Sequence, residues 1–374
     1  MNPVVALNDF RMQWRDIRSA ALCAIDAVGN SGRLILGKKV RQFEEALASY
    51  AGVNHIVGCA SGLDAIEISL LALGLKPGDR VLTTPLSAFA TTLAILRAGG
   101  VPVFGDVDNS GLLDLLAVEE VLSDVNKPIR FLLPVHLFGH AIELQRLAAL
   151  KKRFGFHLVE DCAQAINATS NGVPVGTIGE MSAISFYPTK NLGCMGDGGA
   201  ILTDDERLAG ASRALRDYGQ ATKYVHVYVG MNSRLDEIQA AILVEVLLPR
   251  LAAFTQRRRE IAKLYRENIS SKALTIPAAP QGSDSVYHLF PVLVHDNREG
   301  FQEHLRSRGI ESGVHYPLLI PNQTALRGKE FELASVLTNA LRFAKCEVSL
   351  PIHPYLSNHD IERVIDACNT WQIP

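Results

Sequence analysis

Short apolar runs alternate with segments of helical periodicity along most of the chain. In Lys38–Tyr50, for example, Val40, Phe43 and Leu47 recur every three or four residues, which is typical of an amphipathic helix. Strand-like apolar runs occupy residues 55–60, 81–84, 101–108, 131–136, 157–161, 181–187 and 199–203. Buried strands that alternate with helices predict an α/β fold in which a mostly parallel sheet has helices on both faces.

A long helical segment separates this pattern from a different one near the C-terminus. The helix is predicted from Leu235 to about Phe254, and Pro249 is expected to bend or break it. Because 374 residues exceed what one hydrophobic core usually supports, we predict a large domain over residues 1–248 and a smaller α+β domain over residues 249–374. In the smaller domain the predicted strands are 288–295, 313–316 and 346–350, and the predicted helices are 297–308, 333–343 and 358–368.

Net charge, apolar runs and cysteine spacing indicate which partners and which cellular location to expect. A formal net charge of −2 gives no general electrostatic reason to bind nucleic acid or an anionic membrane. The N-terminal segment is interrupted by charged residues, so no signal peptide is expected, and no uninterrupted apolar run reaches membrane-spanning length. Six cysteines without CxxC spacing are interpreted as reduced thiols, namely Cys23, Cys59, Cys162, Cys194, Cys346 and Cys368. We therefore expect a cytoplasmic protein.

A small polar turn, Ser61-Gly62, follows the first predicted strand and precedes a predicted helix over Leu63–Leu73. Free backbone N–H groups and the helix dipole converge at such a point, so the turn is a candidate anion site. Serine is also a common helix N-cap, and an ordinary strand-to-helix connection explains the same residues. The sequence alone leaves both interpretations open.

Two histidines, His136 and His140, have the four-residue spacing of a metal-binding pair on a helix. The intervening Leu-Phe-Gly does not favour a helix, and no carboxylate or thiolate at suitable local spacing completes a ligand set. We therefore predict no metal site, and His140 is interpreted as a loop residue.

One lysine, Lys190, lies between the apolar run Met181–Tyr187 and a turn region with four glycines over residues 193–199. A lysine held in a tight, partly desolvated site has a lowered pKa, so its free amine can condense with a carbonyl compound. Most lysines are solvated surface groups, however, and the assignment depends on the other polar residues at strand ends. We interpret Lys190 as a candidate covalent anchor for a cofactor.

The other candidate residues at predicted strand ends and turns are Ser61, Gly62, Asp161, Gln164 and Ser185, with Phe89 near a helix start. One ligand explains this mixture, an aromatic aldehyde with a phosphate group. Ser61, Gly62 and Ser185 would then hold the phosphate, and Phe89 would stack on the ring. Asp161 would pair with a protonated ring nitrogen, which is how proteins keep pyridoxal phosphate (PLP) acting as an electron sink.

Seven motifs across nearly the whole chain resemble those of the PLP-dependent sugar aminotransferases of the DegT/DnrJ/StrS family. They are Cys59–Ala65, Pro102–Asp108, Val135–Gly139, Glu160–Ala165, Ser185–Lys190, Gly230–Asp236 and Gly313–Pro317. The resemblance implies PLP-dependent transferase fold type I, which is aspartate aminotransferase-like. It also implies that Lys190 binds the cofactor covalently, that Asp161 and Ser185 have the roles given above, and that Gln164 contacts the ring hydroxyl.

Further roles follow from the same resemblance. Asn232 is implied to reach the cofactor phosphate of a neighbouring subunit, and Arg234 to hold the carboxylate of the amino donor, so a homodimer with shared active sites is expected. His315 and Tyr316 are implied to bind substrate. The chain departs from the family where a threonine usually follows the Ser-Gly turn, because it has Leu63 there, which leaves backbone N–H groups to bind the phosphate. It also has Ile166-Asn167 where many members have a histidine.

The implied reaction is ping-pong transamination from L-glutamate to a keto-sugar nucleotide. The amino-acid sequences of residues 191–200 and 232–236 are most similar to those of members which aminate C3. The first expectation for the amino acceptor is therefore a dTDP-3-keto-6-deoxyhexose. A UDP-linked 3-keto sugar or a 4-keto sugar nucleotide is the alternative. Relatives that dehydrate sugars replace the anchoring lysine by histidine, which Lys190 argues against. A non-catalytic PLP-binding regulator or sensor is the remaining alternative.

Overall fold

The computed structural model describes residues 4–372, so residues 1–3 of the charged N-terminal segment and residues 373–374 of the predicted small domain lie outside the described residues. The strands in chain order are β1 (His55–Cys59), β2 (Arg80–Thr83), β3 (Val101–Phe104), β4 (Phe131–Leu133), β5 (His157–Asp161), β6 (Thr169–Ser170), β7 (Val173–Pro174), β8 (Met181–Ser185), β9 (Gly199–Thr203), β10 (Gln220–Thr222), β11 (Val225–His226), β12 (Leu274–Thr275), β13 (Ser283–Asp284), β14 (Phe290–Val294), β15 (Glu332–Leu333) and β16 (Glu347–Leu350).

The helices surround and connect these strands. In chain order they are α1 (Phe10–Ser31), α2 (Lys38–Ala51), α3 (Gly62–Ala72), α4 (Phe89–Ala98), α5 (Leu115–Leu122), α6 (Leu144–Phe154), α7 (Glu206–Leu215), α8 (Glu237–Ile242), α9 (Leu251–Asn268), α10 (Arg298–Ser307), α11 (Thr338–Cys346) and α12 (Asn358–Thr370). Capping side chains and glycines determine where several of these helices begin and end, as α1 shows. Asp9 caps α1 by accepting a hydrogen bond from the Met12 backbone N–H, and Gly32 ends it in the left-handed conformation that glycine adopts readily.

A central sheet of eight strands has the order β1-β9-β8-β5-β4-β2-β3-β15. Of its seven neighbouring pairs within residues 4–372, five are parallel, and the two that involve β9 are antiparallel. The structure thus confirms the α/β class and the mostly parallel sheet. Because β1, β5 and β8 run in the same direction, their carboxyl ends meet at one edge, where ligands of such sheets bind.

A second, smaller sheet in the order β12-β14-β16 packs with α9, α10 and α12. Its core includes Ile261, Phe290, Phe301 and Val364, and it also takes in Val5 from the other end of the chain. The proposed division at residue 248 remains a prediction, since segments cross it in both directions. β15 joins the central sheet beside β3, and Phe343 of α11 belongs to the core of that sheet.

Three predicted elements differ from the structure. Gly313–Tyr316 is not a strand, because only Gly313 bridges to Ser349 of β16. The helix predicted over Leu333–Phe343 begins at Thr338, and Leu333 belongs to β15. The long helix predicted to end near Phe254 continues as α9 to Asn268. Around Pro249 the regular α-helix gives way to a π-helical turn and a 3-10 turn over residues 243–250, which agrees with a proline that perturbs the helix without ending it.

One helix in the described part of the chain, Glu237–Asn268, is long and apolar enough to cross a membrane by length and composition. Half of its most apolar segment is buried inside the protein. Ala240, Leu243 and Val246 from this segment pack in the core of the central sheet. The apolar character of the helix is therefore accounted for by core packing.

Candidate active site

Lys190 lies in the loop that follows β8. The Lys190 backbone N–H donates to the Tyr187 carbonyl at 2.8 Å, and Phe186 exchanges backbone hydrogen bonds with Cys194 and Gly198, so the loop folds back on itself. Burial lowers the pKa of Lys190 to about 8, although the negative charge of Asp161 opposes the change. The structure thus gives this amine the desolvated setting that the sequence suggested, in which a neutral nucleophilic form is accessible near neutral pH.

Asp161 ends β5, the strand that pairs in parallel with β8. Its side chain is 3% exposed and accepts hydrogen bonds from the Thr91 hydroxyl at 2.8 Å and the Ala163 backbone N–H at 3.0 Å. Burial raises the pKa of Asp161, while these two hydrogen bonds and the charge of Lys190 lower it. The charges of Asp161 and Lys190 each affect the pKa of the other, so the structure brings the two side chains into one site. A buried carboxylate of this kind is stabilised by such a cationic partner.

Gln164 and Tyr316 extend the site on the side of the smaller sheet. Gln164 accepts a hydrogen bond from the Phe138 backbone N–H at 2.7 Å, and its amide donates to the Tyr316 hydroxyl at 3.3 Å. Burial and the charge of Asp161 raise the pKa of Tyr316, so its hydroxyl stays protonated. His315 is adjacent, and burial lowers its pKa to about 4, with a further contribution from Lys190. Four sequence-predicted residues therefore meet around Lys190.

The Ser61-Gly62 turn lies against Ser185 at the same sheet edge. A Cβ atom added to Gly62 would lie 2.7 Å from the Ser185 Cβ, so only glycine allows this approach. Ser61 caps α3 by accepting a hydrogen bond from the Asp64 backbone N–H at 3.1 Å, which confirms the capping interpretation. Among the described residues, the backbone N–H groups of Gly62 and Leu63 donate no hydrogen bond. Those two donors remain available to an anion.

Two other residues predicted to contact the cofactor, Leu63 and Phe89, pack against apolar side chains. Leu63 is partly buried and packs on the core that α3, α4 and α7 form with one face of the central sheet. Phe89 begins α4 and packs beside Phe104 and Ile320. Their roles toward a cofactor remain predictions.

Asn232 and Arg234 make no side-chain hydrogen bond or ion pair with Lys190 or Asp161 among the described contacts. Asn232 is exposed, whereas Arg234 forms an ion pair with Asp217 at 2.7 Å and lies over the Tyr218 ring. Ser233 between them is buried, donates to Asp64 at 2.7 Å and accepts from the Ala60 backbone N–H. This segment is thereby fixed behind the first turn of α3, with Asn232 directed outward.

Behind Asp161, His136, Glu160 and Cys162 form the described group whose spacing could hold a metal ion. The Ile142 backbone N–H donates to Nδ1 of His136, so its Nε2–H donates to Glu160 at 3.1 Å. Burial raises the pKa of Glu160, but His136 and backbone N–H groups that include Gly176 and Gly179 lower it overall. Since both oxygens of this carboxylate accept hydrogen bonds, the group is explained as a buried polar support for β5.

Sequence analysis missed Thr91. Its hydroxyl lies in the first turn of α4 and donates to Asp161, 70 residues away in sequence. A threonine near a helix start is usually interpreted as a local cap, so only the partner in the fold reveals the contact.

The family described as the DegT/DnrJ/EryC1/StrS aminotransferase family matches residues 15–369. The chain belongs to this family. It is a PLP-dependent aminotransferase with an α/β fold.

Its relatives agree over nearly their full length. The aminotransferase is 38% identical over 371 residues to dTDP-3-amino-3,4,6-trideoxy-alpha-D-glucose transaminase of Streptomyces venezuelae, which covers 99% of this chain and 96% of that protein. It is 36% identical to UDP-N-acetyl-3-dehydro-alpha-D-glucosamine 3-aminotransferase of Acidithiobacillus ferrooxidans, over 97% of this chain and 96% of that protein. A crystal structure of S. venezuelae DesV in complex with a ketimine intermediate superposes with a TM-score of 0.94, 38% identity and 99% coverage of both chains.

The residues present in this aminotransferase fit PLP. The site offers an amine with a lowered pKa, a buried carboxylate and two free N–H groups at a helix start. The close contact of Gly62 with Ser185 shapes the place where those N–H groups emerge. An aldehyde, a basic ring nitrogen and a phosphate match these three features in turn.

Proposed function

We propose that this protein transfers the amino group of L-glutamate to a keto-sugar nucleotide. The observation that supports it most directly is the meeting of the half-buried Lys190 and the buried Asp161 carboxylate at the sheet edge beside the Ser61-Gly62 turn. When bound, PLP supplies a carrier for the amino group and a sink for the electron pair left when a C–H bond is broken. The protein residues then have to position and move protons.

Lys190 is proposed as the proton carrier. With its pKa lowered to about 8, the Nζ atom exists partly as a free base at neutral pH and can accept the α-proton of glutamate. In the second half of the reaction the same atom returns a proton to the carbon that receives the amino group. Lys190 is also proposed to hold the cofactor covalently between turnovers.

Asp161 is proposed to keep the cofactor ring nitrogen protonated. Its burial makes an unpaired carboxylate unfavourable, and a protonated nitrogen within hydrogen-bond distance removes that penalty. Thr91 and the Ala163 N–H hold the two carboxylate oxygens in place. Ser61, Gly62, Leu63 and Ser185 are proposed to bind the phosphate, and Gln164 the ring hydroxyl.

The acceptor is proposed to be a dTDP-3-keto-6-deoxyhexose. Support comes from the relatives, since the S. venezuelae protein is named for a dTDP-3-amino sugar. The A. ferrooxidans protein is named for a UDP-linked 3-dehydro sugar, which keeps a UDP-linked 3-keto sugar as the second candidate. His315 and Tyr316 are proposed to contact the sugar, because they border Lys190 from the side of the smaller sheet.

Each active site is proposed to be completed by a second subunit in a homodimer. The hairpin of β10 and β11 and the segment after it expose large apolar side chains, with Tyr224 78% and Val229 98% exposed. Contiguous exposed apolar surface of this kind marks an interaction site. Asn232 and Arg234 follow this surface directly, and are proposed to reach the partner's phosphate and the donor carboxylate. We also propose a cytoplasmic location.

Borohydride reduction tests the covalent assignment. The PLP-loaded protein is reduced, digested and mapped by mass spectrometry, and the pyridoxyl group is expected on Lys190. Lys190→Ala should bind PLP without fixing it and should lose turnover. A pyridoxyl group on another lysine of the wild type would contradict the assignment.

An absorbance titration separates an aminotransferase from a sensor. Glutamate is expected to bleach the visible band of the loaded protein, and a keto-sugar nucleotide should restore it. Comparing dTDP-3-keto, UDP-linked 3-keto and 4-keto sugars, with the amino sugar identified by mass spectrometry, decides the acceptor. Binding of glutamate without bleaching would support a regulatory role instead.

A further inference from the structure

Glu347, at the start of β16, is completely buried without an ion pair to any described residue. One carboxyl oxygen, Oε2, accepts a hydrogen bond from the His315 backbone N–H at 2.6 Å. The other oxygen, Oε1, lies 2.5 Å from the Ser349 hydroxyl. A buried carboxyl group usually has a cationic partner or a function, and here its two contacts both lead toward His315.

The Ser349 hydroxyl connects Glu347 to the imidazole ring of His315. Ser349 Oγ is 2.9 Å from Nδ1 of His315 and also contacts Glu347. A hydroxyl has a single hydrogen, so it donates to one of these neighbours and accepts from the other. The direction in which Ser349 points therefore depends on which neighbour supplies a proton.

Two arrangements satisfy every group. When Glu347 is ionised, Ser349 donates to it, and Nδ1 of His315 must carry the proton and donate to Ser349, which leaves Nε2 as a free acceptor. When Glu347 is protonated, it donates to Ser349, Ser349 donates to Nδ1, and Nε2 carries the proton. The imidazole is neutral in both, since burial lowers the pKa of His315 to about 4.

We propose that Glu347, acting through the Ser349 hydroxyl, sets which nitrogen of His315 carries the proton and thereby whether this imidazole offers the active site a hydrogen-bond acceptor or a donor. Glu347 is then a positioning residue for the reaction. The relevance to catalysis rests on the proposed function, whereas the coupling itself depends only on these three side chains.

The second ring nitrogen of His315 is available for this purpose. Its Nε2 atom makes no hydrogen bond to any residue between 4 and 372. Lys190 is close enough for its charge to affect the pKa of His315, and the neighbouring Tyr316 bonds to Gln164. As an acceptor, Nε2 can bind the Lys190 amine or a sugar hydroxyl, and as a donor it can bind a sugar carbonyl oxygen.

Burial and the neighbouring charged groups set the pH at which the His315 tautomer is expected to change. Burial raises the pKa of Glu347 to about 8, while hydrogen bonds from Ser349 and His315 and the charge of Arg298 on α10 oppose it. Tyr316 and Lys190 face His315 from the site, and His288 is a further titratable neighbour. Burial keeps His288 neutral by lowering its pKa. Below pH 8 the donor form of Nε2 is therefore expected, and above it the acceptor form.

Histidine-selective ¹⁵N NMR tests the proposal directly on the full-length protein, with and without PLP. The two ring nitrogens of a neutral histidine have well-separated shifts that show which one is protonated. The His315 signals are assigned by their loss in His315→Gln. In the wild type, the proton is expected to move from Nε2 to Nδ1 with a midpoint near pH 8.

Two variants and one control complete the experiment. In Glu347→Gln, with the amide oxygen facing the His315 N–H, the amide nitrogen donates to Ser349 permanently, so Nε2–H should persist at every pH from 7 to 9. Ser349→Ala removes the connection and should also abolish the change. Glu311→Gln, an exposed carboxylate bound to the Leu7 N–H, should keep it.

The outcomes are decisive independently of turnover. Unchanged signals from the other histidines show that each variant is folded. A wild-type His315 with one tautomer across the whole range, or a change that survives in Glu347→Gln, would overturn the proposal. The NMR result and the transamination assay can fail separately. A wild type that transaminates but shows no tautomer change contradicts this inference alone, and a wild type that shows the change but does not transaminate contradicts the proposed function alone.

Discussion

Thr91 donates its hydroxyl hydrogen to a carboxylate oxygen of Asp161 at a distance of 2.8 Å, inside a site where both side chains are almost fully buried. The contact joins the first turn of α4 to the end of β5. Hydrogen bonds to ionised groups are stronger than those between neutral groups, and they also fix direction. The orientation of Asp161 therefore depends in part on α4, which carries neither Asp161 nor Lys190.

Replacing Thr91 should weaken catalysis through Asp161. Asp161→Asn is expected to lower kcat on the order of a hundredfold or more, because the ring nitrogen loses its anionic partner. Thr91→Val should lower kcat about tenfold to hundredfold, the effect of losing one hydrogen bond to a charged group. Thr92→Val is the matched control, since the Thr92 hydroxyl is buried without a partner in the described structure. Steady-state kinetics that show equal losses in Thr91→Val and Thr92→Val would argue against this role.

Gly199 is expected to tolerate no side chain. A Cβ atom there would lie 2.3 Å from the Ser61 carbonyl carbon and 2.6 Å from the Gly62 nitrogen, so Gly199→Ala must push the turn away from β9. We expect a loss of about 1 to 3 kcal/mol in the free energy of unfolding, together with weaker PLP binding.

The control for this change lies in α7. Gly210 has no atom within 4 Å of an added Cβ, so Gly210→Ala should raise the free energy of unfolding by about 0.5 to 1 kcal/mol with PLP affinity unchanged. Urea denaturation and PLP titration of both variants check the pair. Normal PLP affinity in Gly199→Ala would show that the turn is not part of the cofactor site.

Subunit mixing tests the shared active site. Lys190→Ala subunits are combined with subunits that carry Asn232→Ala and Arg234→Ala, each preparation being nearly inactive alone. A mixed dimer then has one site with both defects and one intact site. With random exchange about half of the dimers are mixed, and activity should return to about a quarter of wild type. If mass spectrometry shows mixed dimers but activity stays absent, Asn232 and Arg234 serve their own chain.

His140 should make the protein sensitive to acid. Its ring is fully buried, Nδ1 bonds to Ser285 at 2.8 Å, and burial lowers its pKa to about 3. The unfolded chain binds this proton near pH 6.5. The stabilising contribution is therefore complete above pH 6.5 and is lost as pH falls toward 3, by about 1.4 kcal/mol for each pH unit.

The variant His140→Asn keeps a donor to Ser285 and cannot take up the proton. Its free energy of unfolding, measured with urea between pH 7 and 4, should fall less steeply than that of the wild type. His295→Asn, at an exposed ring bonded to Thr275, is the control and should leave the slope unchanged. Parallel slopes for the wild type and His140→Asn would contradict the prediction.

Local patterns in the sequence were sufficient where the fold itself is local. The strands β5 and β8 are short apolar runs, so Asp161 could be placed at the end of one and Lys190 in the loop after the other before the sheet was known. Pairing between distant segments could not be predicted in this way. β15 has only two residues, and its position is set by contact with β3, more than 200 residues earlier in the chain.

The same reason explains the candidate residues that were missed. Thr91 resembles a local cap, and Glu347 resembles a polar residue at the start of a strand, until the partner from another element is known. The strand predicted at Gly313–Tyr316 failed because the chain leaves β16 after one bridge. Apolar periodicity reports burial, but it does not report how long two segments stay paired.

The exchange of segments between the two ends of the chain limits how the protein can be divided. Val5 exchanges backbone hydrogen bonds with Gly309 and Glu311, and β15 closes the edge of the central sheet at β3. A fragment that stops at residue 248 would leave Val103 and Phe104 on an open apolar edge, which favours aggregation through strand pairing. A fragment that starts at residue 249 would lack Val5 from its core. Both ends of the polypeptide therefore have to be present, because each part of the protein has an apolar surface that a segment from the other end covers.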